Sequence, residues 1–250
     1  MSLRKDFEAQ GEEIRALTDQ IRTNRLVHAL MITGEPGTGK RTLAELLAAA
    51  LLCTAEGEKP CGQCRNCLAV FSGEHPDLIR IEKGVPIAED VKKGRATIPV
   101  EDIREMIRRC SEYSLTGERR VVLIAEAENM TPQAQNCLLK ILEEPPAGTC
   151  FLLSSSHPEQ VLTTVRSRCR QVNLSPWPDD YILRVLKKHG TDDGRAALIV
   201  REASGSIGYA LQLSADEAYW QMREEIFRVF FGNFRRSDIL SFSTAWKDRK

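Results

Sequence analysis

The sequence predicts an α/β fold with a parallel sheet, on three observations. Short apolar, β-branched runs alternate with stretches of helical periodicity. The first run leads through a glycine-rich turn, Gly34 to Lys40, into a long apolar helix. Beyond a proline-marked break at 175–178 only helical patterns remain, so a small helical domain should follow the sheet.

Residues 6–24 carry Phe7, Ile14, Leu17 and Ile21 at near-helical spacing, predicting an amphipathic helix. The apolar run 28–33 ends in glycine and reads as a buried strand, and 41–52, rich in Ala and Leu, as a helix. A compact cysteine cluster occupies 53–67. Residues 77–81 alternate as a strand does, whereas 84–97 are polar and Lys-rich and predict a mobile excursion. Ile103, Met106, Ile107 and Cys110 share one face of a helix over 100–113. The β-branched run 120–125 predicts a central parallel strand. Thr131 is a helix cap with Pro132 in the first helical position; Cys137, Leu138, Ile141 and Leu142 mark the helix, and Pro145-Pro146 stop it. Strands at 150–154 and 170–174 complete the sheet. After the linker 175–178 come helices at 179–189, 193–204 and 207–213, and a further helix over 215–231. There is no internal repeat, and the end at Lys250 reads as a cut within a longer protein.

The chain has 250 residues, with 35 basic and 35 acidic side chains. Zero net charge argues against a protein that coats nucleic acid through bulk electrostatics, so any DNA contact must be local or shared among subunits. Residues 1–17 lack the apolar core of a signal peptide, and no stretch approaches the ~20 apolar residues of a membrane span. A cytoplasmic setting is expected, in which eight cysteines read first as metal ligands or buried thiols.

Gly34-Glu35-Pro36-Gly37-Thr38-Gly39-Lys40 matches G-x-x-x-x-G-K. Glycines let backbone N–H groups converge on a phosphate, the helix N-terminus adds its positive end, and Lys40 adds a full charge. The bland alternative is a tight strand-to-helix turn without a ligand. A Ser or Thr should follow the lysine to hold Mg²⁺, but Arg41 stands there, and Thr42 is rotated by ~100° on the helix. The second half of such a site is an acidic pair ending an apolar strand. At 121–128 the metal position is Ala125, and Glu126 sits where a water-activating base would. A base without an organised metal does little for phosphoryl transfer. Nucleotide binding without proper magnesium coordination is therefore the expectation for Gly34, Gly37, Thr38, Gly39, Lys40, Arg41 and Thr42.

Cys53, Cys61, Cys64 and Cys67 offer four thiolates within fifteen residues. Four sulfurs leave no open position, so the site should be structural zinc; disulfides and an iron–sulfur cluster are the alternatives. Cys110, Cys137 and Cys150 read as core thiols.

Taken together these residues resemble the delta-prime family of bacterial DNA polymerase III clamp-loader subunits, within the AAA+ superfamily. The resemblance covers nearly the whole chain. It rests on the order of Val27-His28-Ala29-Leu30, the phosphate loop, the inserted cysteines, Glu74-His75-Pro76-Asp77, the segment from Asn136 to Pro146 and Arg166-Ser167-Arg168-Cys169. It implies an AAA+ parallel sheet over 1–174 with a zinc module at 53–67, a three-helix lid over 175–213, and the start of a truncated collar over 214–250. It also implies that Arg168 is an arginine finger given to a neighbour's ATP, with Ser167 and Cys169 positioning it. A planar, permanently charged guanidinium suits the charge on a transferring phosphate; an interface salt bridge is the competing reading, and Arg166 and Arg170 are close by. Glu143-Glu144 oppose the dipole at a helix C-terminus, which marks either function or solvated charge.

Against the motor subunits of the family, Arg41 replaces the magnesium hydroxyl, Ala125 the metal carboxylate, and Gly208 a nucleotide-sensing arginine. The implied role is a stator in a ring with tau/gamma and delta subunits, helping to load a sliding clamp on primed DNA. An ATP-hydrolysing tau/gamma-type motor is the alternative. A zinc-dependent nucleic-acid binder using Lys92-Lys93, Arg108-Arg109 and Arg119-Arg120 is a third reading.

Overall fold

The computed structural model describes residues 7–23, 25–112 and 119–231. Five strands form one sheet in the order β2-β3-β4-β1-β5: β1 Ala29–Gly34, β2 Leu78–Ile81, β3 Arg120–Ile124, β4 Thr149–Ser155 and β5 Arg170–Leu174. Every pairing is parallel. β3 and β4 are buried along their whole length, which is why they read as unbroken apolar runs. β5 closes one edge and alternates exposed with buried residues.

The helices are α1 Glu12–Arg22, α2 Lys40–Leu52, α3 Arg65–Ser72, α4 Val100–Cys110, α5 Pro132–Glu143, α6 Thr163–Arg166, α7 Asp179–Lys188, α8 Asp193–Ala203, α9 Ile207–Ala215 and α10 Glu217–Phe231. Strand alternation splits the core into two layers. Leu30, Ile32, Val121, Leu123 and Leu152 face α1, α2 and the helices that follow the sheet. Met31, Val122, Ile124, Phe151 and Leu153 face α4 and α5.

Several expectations are corrected. The N-terminal helix is broken at Gly11 (φ 87°), so Phe7 lies outside it, buried 5.6 Å from the Trp177 ring. Trp177, read as linker, is only 3% exposed, and its indole N–H donates to the Thr38 carbonyl at 2.8 Å. Helix α3 was not foreseen. It begins where the Cys64 sulfur accepts from Cys67 N, an N-cap made by cysteine. The 84–97 segment is tied down: Gly94 N donates to Gly84 O at 2.9 Å, and Ile87 N and Ala88 N donate to the buried Asp102 carboxylate at 2.9 and 3.0 Å. Of the thiols, Cys137 is only partly covered while Cys169 is buried. Burial pushes the Cys110 thiol up to about 11 and those of Cys150 and Cys169 to about 12. Residues 6, 24, 113 and 232–250 of the expected elements lie outside the described residues.

A buried ion pair locks β2 to β3 at their N-terminal ends. Arg120 Nη2 lies 3.6 Å from the Asp77 carboxylate, which is fully buried, and Arg120 Nη1 donates to the carbonyls of Arg109 and Glu112, the latter at 2.8 Å. Asp77→Ala removes a carboxylate facing a buried guanidinium, and the expected cost is about 3–5 kcal/mol. Urea unfolding measures it, and a midpoint unchanged from wild type would contradict this account.

Candidate functional site

The C-terminal ends of the parallel strands converge on a cleft of about 580 Å³, where open α/β sheets place ligands. Gly37, Gly39, Lys40, Arg41 and Thr42 form one wall. Glu82 and Lys83 after β2, and Ala125 and Glu126 after β3, form the other. Gly34 and Thr38 stand behind this wall and shape the loop. A Cβ on Gly34 would come within 2.6 Å of the Leu174 carbonyl. The buried Thr38 hydroxyl donates to Glu35 O at 2.8 Å.

Helix α9 presses on the loop. Gly208 N donates to Gly37 O at 2.8 Å, and a Cβ on Gly37 (φ 77°) would lie 2.0 Å from Ser206 Oγ. Any side chain at 208 would bring its Cβ within 3.1 Å of Gly37 Cα, so an arginine there requires the loop to move. Lys40 Nζ donates to the carbonyls of Gly34 and Glu35, both at 2.8 Å. Partial burial pushes its pKa below the ordinary lysine value, against the opposing pull of Glu128 and Glu35.

The charged groups around the cleft are paired with one another. Arg41 Nη2 pairs with Glu82 at 2.8 Å, and its Nε lies 3.5 Å from Glu45, which also binds Arg80 at 2.9 Å. Ala125 presents a methyl group. Glu126, in the left-handed region (φ 51°), pairs with Lys83 at 2.7 Å and accepts from Asn129 at 2.8 Å. Glu82 and Lys83 were missed in the sequence because they sit just past a short strand, outside any motif.

Arg168 lies at the opposite end of the sheet. It precedes β5, and β5 runs parallel to β1 with Arg170 beside Leu30 and Leu174 beside Gly34. Those four steps are ~13 Å of strand, so Arg168 and the phosphate loop occupy opposite ends. Its guanidinium pairs with Glu143 (Nε at 2.9 Å, and Nη2) and donates from Nη1 to Thr164 O at 2.8 Å. The neighbouring arginines point to other partners: Arg170 binds Gln20 at 2.6 Å and Arg166 faces Thr163 at 3.3 Å.

The four cysteine sulfurs lie within 4.8 Å of one another. Cys53–Cys64 and Cys61–Cys67 are each 3.9 Å apart, close to the ~3.8 Å that a tetrahedron of ~2.3 Å Zn–S bonds requires. Cys64 N and Cys67 N donate to the sulfurs of Cys61 and Cys64 at 3.3 and 3.4 Å, as thiolate ligands want. Burial opposes ionisation of Cys64, but N–H groups of Cys67 and Thr54 outweigh it and hold the thiol at about 6. Burial pushes Cys67 the other way. Four sulfurs at this spacing fit one ion.

The basic pairs are mostly spoken for. Arg120 is buried, and Arg108 and Arg109 both bind Glu105, at 2.8 and 2.7 Å, which weakens the nucleic-acid-binder reading.

The family model described as "DNA polymerase III, delta subunit" matches residues 9–178. DNA polymerase III subunit delta' of Escherichia coli K12 is 37% identical over 245 residues, covering 97% of this chain and 69% of that one. The chain belongs to the delta-prime family of DNA polymerase III subunits. It spans about two thirds of the length of its delta-prime relatives. Subunit tau/gamma of Haemophilus influenzae is also similar, 32% identical over 84% of this chain and 30% of its own length. The chain shares its fold with a gamma subunit-related protein of Thermotoga maritima, at a TM-score of 0.53 and 20% identity over 84% of this chain and 62% of the other.

Proposed function

We propose that this chain is a stator of the DNA polymerase III clamp loader. It sits in a ring with tau/gamma and delta subunits and donates Arg168 to a neighbour's ATP while a sliding clamp is loaded on primed DNA. The observation that carries the reading is the Arg41–Glu82 pair. It puts a fixed cation where a motor subunit needs a magnesium-holding hydroxyl, and Ala125 supplies no carboxylate to restore the site. In this reading residues 1–174 are the AAA+ domain, with zinc held by Cys53, Cys61, Cys64 and Cys67. Residues 175–213 are a three-helix lid that touches the loop through Ser206 and Gly208, and the segment from 214 begins a collar. Lys40 and the loop amides keep the capacity to hold the phosphates of ATP or ADP, without magnesium ligation. A cytoplasmic setting fits reduced cysteines; among the described residues no helix is long and apolar enough to cross a membrane.

The motor reading draws on the 32% identity to tau/gamma and is separated by one assay. The isolated protein with Mg-ATP is expected to show no turnover above background, and Lys40→Ala to change nothing. Robust magnesium-dependent hydrolysis abolished by Lys40→Ala would establish a motor instead.

A further inference from the structure

We propose that Glu143 is a positioning residue for Arg168, a role that rests on the finger reading above. Glu143 ends α5, where the helix dipole disfavours an anion. Its carboxylate is taken by the Arg168 guanidinium, through Nε at 2.9 Å and through Nη2. Nη1 of the same group donates to Thr164 O at 2.8 Å, in α6. One guanidinium thus ties α5 to α6 at the N-terminal edge of the sheet, away from the chain's own phosphate loop.

A guanidinium has five N–H donors, and these contacts use three: the one on Nε and one on each terminal nitrogen. One N–H remains on Nη1 and one on Nη2. The two that remain stand on the terminal nitrogens, the groups with which arginine grips phosphate oxygens. Glu143 therefore holds the inner edge of the group and leaves the outer edge to the neighbour. A long side chain on a surface otherwise samples many rotamers, and fixing it beforehand places its charge where the transition state needs it. Glu144, one residue on and exposed, makes no side-chain hydrogen bond or ion pair among the described residues, and it serves as the matched control.

The test uses the full-length subunit in a reconstituted loader in which only the adjacent motor subunit keeps its P-loop lysine, with clamp and primed DNA present. Glu143→Ala is expected to lower kcat about 10- to 100-fold, the scale of a misplaced catalytic group, with KM for ATP changed less than about twofold. Glu143→Gln, which still accepts hydrogen bonds, should fall between. Glu144→Gln should match wild type, and Glu143→Ala with Arg168→Ala should be no slower than Arg168→Ala alone. A Glu143→Ala loader as fast as or faster than wild type, or a double variant slower than Arg168→Ala, overturns the proposal. If Arg168→Ala slows hydrolysis while Glu143→Ala does not, only the positioning role fails. If Arg168→Ala has no effect, the finger reading fails and takes this one with it.

Discussion

Replacing Arg168 with Ala is expected to slow ATP hydrolysis at the adjacent motor site of the assembled loader by roughly 10³-fold or more. The size follows from the chemistry: phosphoryl transfer spreads negative charge over oxygens in a site with little covalent work to do, so positioned cations supply much of the rate. The parallel sheet puts Arg168 at the end opposite its own loop, so in the finger reading the effect is expected in trans. ATP binding by the neighbour should change far less than its turnover, because the finger matters most in the transition state. Arg168→Lys should rescue poorly, since an ammonium lacks the planar fork. Single-turnover hydrolysis in the reconstituted loader reads this directly; a rate equal to wild type would remove the assignment and leave a salt bridge to Glu143.

Stripping metal from the cysteine cluster is expected to produce the largest loss of stability. Structural zinc binds such ligand sets with about 10–16 kcal/mol of apparent free energy near pH 7. Much of that should vanish with a strong chelator, or with Cys64→Ala, which also removes the cap of α3. The loss is bounded by the packing that Cys53, Cys67 and Val70 retain in the core. Protons compete with the ion for the sulfurs, so release should grow as pH falls. Elemental analysis should give one zinc per chain, and added zinc should restore Tm after chelation. A metal-free protein with an unchanged Tm would show that the cluster is only a group of thiols. Cys110→Ala, in the opposite core layer, is the control: it should leave metal content intact.

Much was legible because the local signals agree with the global fold. β1, β3 and β4 announce themselves as apolar runs because sheet strands covered on both faces have no polar side to show. The caps at Thr131 and Pro132 fix the start of α5, and the spacing of the four cysteines anticipates their meeting within 4.8 Å. Phe7 and Trp177 look like the end of a helix and a proline linker, but their rings meet beside the phosphate loop, a contact between residues 170 positions apart. Asp102 looks like an ordinary first-turn acid, yet it ties down the polar segment before α4.

By itself the sequence determined the parallel α/β plan, the glycine-rich G-x-x-x-x-G-K turn from strand to helix, the absence of a hydroxyl at 41 and a carboxylate at 125, and the four-sulfur set, because each is a matter of residue type at short spacing. The tertiary structure alone decided that Arg41 is neutralised by Glu82, that Glu126 is held by Lys83, and that Glu143 belongs to Arg168. It also decided that Arg168 faces away from its own loop. Those pairings join ends of different strands and helices, and only the order and direction of the strands bring such ends together or keep them apart.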